Sequence, residues 1–295
     1  MSKTVLHPGS IVAGLIAAGL IVTGLTWSCA SFAATEMEWR QVDPENIALM
    51  DLPEGRVVIE LNPAFAPETV GQFKRLVQSR FYNGLSFYRV IDNFVAQGGD
   101  GSDLGELSDS PLIDAEFEID WSDKLTFMPV QEHDLFADQT GFIDGFAVGR
   151  DLKAKSIWLT HCPGIVAMAR NDDRDSSRTD FYIVIGQAPR YLDRNLNVFG
   201  RVLEGMSVVQ RIVRGPESNG GVFVDDTTAT RIRSVKLMSE IPGNERETVW
   251  VMDTNSKAFE ELLDGRRKRE QSFFKHKPPP VLDVCQVPVG VRVTK

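Results

Sequence analysis

The chain has 295 residues, of which 42% are hydrophobic and 25% charged, an ordinary composition for a globular protein with a sizeable core. Its net charge of −9 argues against a binder of nucleic-acid backbones, which needs clustered Lys and Arg. Lys3, the uncharged run from Ile11 to Leu25 and the small residues at Ser31-Phe32-Ala33 predict a signal peptide over residues 1–33, cleaved before Ala34. Such a leader implies export to the periplasm or beyond. An uncleaved anchor and a lipid on Cys29 are the alternatives, the second disfavoured by bulky Trp27 in its box. After cleavage only Cys162 and Cys285 remain, in an oxidising compartment. They read either as a disulfide tying the tail to the main domain or as two buried free thiols, and sequence alone does not supply their separation.

Residues 34–53 are polar and acidic and read as a lead-in segment. Val57 to Leu61 is β-branched, ends at Asn62-Pro63 and predicts a strand. Ala66-Pro67-Glu68-Thr69 then opens a helix whose buried face is Val70, Phe73, Leu76 and Val77. Phe87 to Ala96 reads as two strand segments broken by the turn signal Asp92-Asn93. Residues 101–163 are long, acidic and weakly periodic. Further strands follow at Ile165–Ala169, Phe181–Ile185 and Val198–Leu203, then a short helix over Gly205–Val213 and a strand over Arg231–Met238. Beyond Ile241 lies a tail with a helix near Ser256–Lys268, a Pro278-Pro279-Pro280 break and a Val-rich end. Many short strands with two helices favour a closed antiparallel barrel over a βαβ sheet.

The segment Phe87-Tyr88-Arg89-Val90-Ile91-Asp92-Asn93-Phe94-Val95-Ala96-Gln97-Gly98-Gly99-Asp100 resembles the signature of the cyclophilins. The resemblance runs in order through Ala66–Val70 with Phe73, Phe81–Gly84, Gly164–Ala169, Phe181–Ile183, Leu192-Asp193, Val198–Val202 and Gly205-Met206. It implies a mainly β fold, a closed eight-stranded antiparallel barrel capped by two helices, over residues 54–240. An insertion occupies about 101–163, and 241–295 form a C-terminal extension. It also implies peptidyl-prolyl cis-trans isomerase activity on X–Pro bonds of exported proteins, without cofactor or metal.

Amide rotation is opposed by about 18–20 kcal/mol because twisting destroys resonance. Catalysis therefore needs a site that binds the twisted amide better than either planar form. The resemblance assigns that task to Arg89, whose permanently charged guanidinium meets the lone pair that the proline nitrogen regains. It places Phe94 on the floor of the proline pocket and Gln97 beside the arginine and the substrate backbone. Val95 stands where the family usually has Met, Tyr182 where it has Phe, and Tyr191 with Leu192 where it has Trp-Leu. Ala169 and Arg170 match a small-plus-Asn edge. Asp180 replaces Gln and Leu196 replaces His. Asp180 near Arg170 and Arg89 predicts an ion pair that shifts substrate preference. Tyr88, where the family commonly has His, is expected to face the barrel side, and Phe87, Val90 and Phe181 to be core.

Asn171–Ser177 has some carboxylate spacing of a calcium loop but lacks the turn Gly and closing Glu, so it reads as a solvated loop. The four His residues, at 7, 133, 161 and 276, show no metal-ligand spacing. The expected partners are proline-containing polypeptides, with no nucleic acid, no membrane after signal cleavage, and a monomer assumed. A noncatalytic proline-peptide chaperone or an envelope scaffold on the same barrel is the alternative, favoured by the altered positions 170, 180 and 196.

Overall fold

The computed structural model describes residues 38–101 and 110–295; the leader and Cys29 lie outside the described residues. In chain order come β1 (Trp39–Gln41), β2 (Ile47–Leu52), β3 (Gly55–Leu61), α1 (Pro67–Gln78), β4 (Ser86–Ile91) and β5 (Val95–Gly99). Next are β6 (Ile119–Asp120), β7 (Met128–Glu132), β8 (Gln139–Ile143), β9 (Phe146–Asp151) and β10 (Ser156–Leu159). The remainder is β11 (Ile165–Met168), β12 (Phe181–Val184), β13 (Val198–Glu204), α2 (Met206–Val209), β14 (Ser234–Leu237), β15 (Thr248–Met252), α3 (Lys257–Lys268) and β16 (Val291–Thr294).

Eight strands form one curled sheet in the order β14-β2-β3-β13-β11-β12-β5-β4, every neighbouring pair antiparallel. Its inner face encloses Met50, Ile59, Phe87, Phe181 and Phe199 with Phe73 of α1. The expected barrel is thus present, with a correction to its closure. Among the described residues no ladder joins β14 to β4. The gap is spanned by the strand's expected N-terminal part, where the Phe87 amide donates to Thr230 O (2.9 Å) and the Ile232 amide to Leu85 O (2.8 Å). A single bridge pairs Ser86 with Arg231.

β2 corrects the lead-in expected over 34–53. It pairs with both β3 and β14, so the sheet includes residues 47–52. Ala48, Met50 and Leu52 face the inner core, whereas Ile47 and Leu49 belong to a second cluster with Val58, Val249 and Val251. Burial on both faces removes the polar alternation that marks a half-exposed strand. The outer covering is a small sheet ordered β1-β15-β16. Beneath it, buried Glu60 accepts from Arg201 Nη2 (2.9 Å) and Arg40 Nη2 (2.6 Å), satisfying a charge that burial would otherwise penalise.

Residues 119–159, within the weakly periodic stretch, form a five-stranded sheet ordered β6-β10-β9-β8-β7. Its strands are short and interrupted by Pro129, Gly141 and Gly149, which obscured the period. Gly149 is needed sterically, since a Cβ there would lie 2.8 Å from the Trp158 ring. The start of this region is laced to the barrel. Ala66 offers α1 no side-chain cap, and the Glu116 carboxylate instead accepts from the amides of Glu68 (2.8 Å) and Thr69 (2.9 Å). In the tail, Ser256 caps α3 by accepting from the Phe259 amide at 3.2 Å. Phe259 then packs edge-on against Phe142 of β8, with centroids 5.4 Å apart.

Candidate active site

The site is written across four neighbouring strands. Register places Arg89 of β4 opposite Gln97 of β5, Gln97 opposite Tyr182 of β12, and Tyr182 opposite Ala167 of β11. Directly paired residues share a face, so these side chains form one row on the outer face of the sheet. The alternate residues Ala96, Phe181 and Ile183 point into the inner core. Val95 and Val184, also paired, extend the outer face by a second row. The turn between β4 and β5 presents Phe94. Asn93 adopts φ 57°, which Asn tolerates, and Phe94 O accepts from the Ile185 amide at 2.9 Å.

Arg89 Nη1 donates to Gln97 Oε1 at 2.8 Å, and Gln97 Nε2 donates to Tyr88 Oη at 2.6 Å. Gln97 is only 2% exposed, so it serves here as a brace for the guanidinium. Arg89 is half-buried and has no carboxylate partner among the described residues, leaving donors for a ligand. The expected ion pair of Asp180 with Arg89 or Arg170 is not formed. Arg170 donates to the carbonyls of Asn195 (2.9 Å), Asn171 and Asp172 and lies 5.6 Å from the centroid of Phe117. Asp180 is 1% exposed and accepts from the Gly101 amide at 3.1 Å, so its carboxylate helps fix the end of β5. Gly99 makes room for it, because a Cβ there would lie 1.8 Å from Asp180 Oδ1.

Tyr88 is a second correction. Its hydroxyl reaches Gln97 on the outer face and does not line the barrel interior. The register of β4 shifts between Ser86 and Arg89, which breaks simple alternation along this strand.

The apolar part of the site gathers Val95, Ala169 and Tyr182 with partly buried Phe94 and Leu196 in one cluster. That cluster also contains Val130 and Phe142 of the 119–159 sheet and Phe259, Leu282 and Val284 of the tail. Tyr191 is 66% exposed and Leu192 half-buried, both in the single helical turn Arg190–Leu192. Cys162 and Cys285 are joined as a disulfide, with Cα atoms 5.0 Å apart.

One group at this site had no signal in the sequence beyond being a histidine beside Cys162. His161 is fully buried, its Nε2 2.8 Å from Tyr182 Oη and its Nδ1 3.1 Å from Asp193 Oδ1. Asp193 also accepts from the His161 amide (2.8 Å), Arg190 Nε (2.6 Å) and Trp158 Nε1 (3.2 Å). Burial pushes the Asp193 carboxyl upward, but the His161 hydrogen bond and the Arg190 charge outweigh it and hold it below its ordinary range. Burial, and then the charge of Asp193, push the Tyr182 hydroxyl well above its ordinary range, so it remains protonated. Among the described residues no group of three or more His, Cys, Asp or Glu is placed to hold a metal.

Comparison with known proteins bears on the family and the fold. Residues 47–237 match the model of the cyclophilin type peptidyl-prolyl cis-trans isomerase family. A probable peptidyl-prolyl cis-trans isomerase of Brucella suis is 32% identical over 61% of this chain and 77% of its own length. A peptidyl-prolyl cis-trans isomerase of Acinetobacter baylyi is 30% identical over 63% and 81%. The crystal structure of the cyclophilin AquaCyp293 from Hirschia baltica superposes with a TM-score of 0.70 at 31% identity, covering 87% of this chain and 93% of its own. That coverage exceeds what residues 47–237 account for, so the likeness extends beyond the family segment. With the curled eight-stranded sheet and the ordered signature blocks, these matches show that the chain belongs to the cyclophilin-type peptidyl-prolyl cis-trans isomerases and is an isomerase of that class.

Proposed function

We propose that the chain isomerises X–Pro bonds by holding the proline ring against Phe94, Val95, Tyr182 and Leu196 while Arg89 donates to the twisted amide nitrogen. The observation that carries this is the cross-strand row in which Gln97 braces Arg89 and no carboxylate among the described residues neutralises it. In the planar amide the nitrogen lone pair is delocalised and accepts poorly. As the bond twists, the nitrogen pyramidalises and its lone pair becomes a strong acceptor. A fixed cationic donor therefore gains more from the transition state than from either ground state, which is the condition for acceleration. Each 1.36 kcal/mol of such preference is worth about tenfold in rate. Because guanidinium does not titrate in the accessible range, the reaction needs no proton to be taken up or released.

The clients are proline-containing polypeptides, taken as extended segments along the outer face. The leader pattern at 1–33 supports export, and the Cys162–Cys285 disulfide is consistent with an oxidising compartment such as the periplasm. Protease-free measurement of cis/trans exchange in an X–Pro peptide tests the mechanism. Arg89→Ala is expected to lower kcat/KM by about 10²–10³, the scale of losing one preorganised donor, with the fold unchanged. Wild-type exchange rates in that variant would refute the role of Arg89.

A further inference from the structure

We propose that His161, held by Asp193, is a positioning residue of the proline pocket. It takes the Tyr182 hydroxyl and so fixes the aromatic ring that walls the site. This rests on the reading of the outer face as the substrate groove.

Three observations converge on it. Tyr182 stands where the sequence resemblance expects Phe, and at 5% exposure its hydroxyl has to be satisfied inside the protein. His161 meets that hydroxyl at 2.8 Å, with the two rings nearly parallel at an interplanar angle of 17° and centroids 6.2 Å apart. The histidine is itself fixed from behind. Asp193 holds both its backbone amide and its Nδ1, and is anchored by Arg190 and Trp158. An ionised Asp193 is an acceptor only, which places a proton on His161 Nδ1; in the neutral imidazole Nε2 is then the acceptor for the tyrosine O–H.

The consequence is geometric. A phenol whose hydroxyl is drawn away from the groove offers a prospective proline the apolar part of its ring. If the histidine were removed, that hydroxyl would be left buried without its partner, at the expense of either pocket shape or pocket dryness. His161 comes from the segment linking β10 to β11, and its neighbour Cys162 is bonded to Cys285 in the tail. The region between β5 and β11 thereby contributes directly to the isomerase site, and the tail supports it at one remove.

A double-mutant cycle between His161→Leu and Tyr182→Phe tests this, with cis/trans exchange of an X–Pro tetrapeptide as the assay and the full chain with its disulfide intact. In the Tyr182 background, His161→Leu is expected to lower kcat/KM roughly tenfold, the scale of one buried hydroxyl stripped of its partner, mostly through KM. In the Tyr182→Phe background, the same change is expected to lower it less than about twofold, since no hydroxyl remains to be held. Equal losses in the two backgrounds would overturn the proposal, because a general packing role would not depend on the hydroxyl. So would no loss in either. Should His161→Leu fail to fold, His161→Gln supplies the deciding measurement: its side-chain oxygen can still accept, and a folded His161→Gln protein whose kcat/KM is lowered about tenfold or more would overturn the proposal. Arg89→Ala measured alongside separates the two levels. If it too is silent, the reading of the groove has failed; if it is impaired while the cycle is additive, only the positioning role has failed.

Discussion

The two faces of β5, β12 and β11 are made by alternating residues of the same short segments, yet they belong to different kinds of structure. Inward, Ala96, Phe181, Ile183, Val166 and Met168 pack in a core drawn almost wholly from the eight-stranded sheet and its helices. Outward, Val95, Tyr182, Val184, Ala167 and Ala169 share a cluster with the 119–159 sheet and the tail. The inner face holds the fold and the outer face holds the proposed site. The additional elements of this chain pack against the outer one.

Three perturbations sharpen that contrast, from the largest expected effect to the smallest. Phe181 is fully buried and meets Phe73, Tyr82 and Phe87 edge-on at centroid distances of 6.1, 5.4 and 5.9 Å. Phe181→Ala is expected to destabilise the protein by about 3–5 kcal/mol, read as a lower midpoint in a denaturant melt. Removing the link on the outer side with Cys162→Ser and Cys285→Ser together is expected to lose about 2–4 kcal/mol, since the bond closes a loop with a sequence separation of 123. If the two faces are as separable as the packing implies, this variant keeps the cooperative melt of the inner core.

The third perturbation is a pH dependence. Asp193 has a folded-state pKa below its ordinary value, so the folded protein binds its proton less readily than the unfolded chain does. Its stabilisation is therefore present above the unfolded value near 4 and lost as the pH falls through the folded one. Melts at a series of pH values are expected to show the gap between wild type and Asp193→Asn shrinking as the pH drops below about 4. A gap that widens on acidification would contradict the arrangement around Asp193.

Much of the inner face was legible because its residues report on one another. The strand-forming segments from Phe87 to Ala96, broken by the turn signal Asp92-Asn93, and the run Phe181–Ile185 each imply strands. Their structural counterparts are β4, β5 and β12. Arg89 and Gln97 were legible through the resemblance of the Phe87–Asp100 segment to the cyclophilin signature, and cross-strand pairing carries both to one face. What escaped the sequence depends on contacts between distant segments. Ile47–Leu52 lost its alternation because both faces are covered. Tyr88 was turned outward by a register shift that no single strand encodes. The carboxylate of Asp180 accepts from the backbone amide of Gly101, a contact its sequence neighbours do not signal. His161 has no spacing partner in the sequence at all; its meaning comes from Tyr182 and Asp193, 21 and 32 residues away.

The small sheet β1-β15-β16 adds a temporal constraint. Its middle strand is β15, so Trp39 pairs with Met252 and Gln41 with Trp250. A chain made or delivered from its N-terminus presents β1 early and Thr248–Met252 late. Until that late segment emerges, the β1 edge has no native ladder to join, and Ile47 and Leu49 lack the Val249 and Val251 that cover them. Non-local pairing of this kind slows folding. The waiting strand is three residues long, ends at the exposed Gln41 and offers little template for a stray neighbour. The β1–β15 ladder is thus closed only after the segments between them have been made.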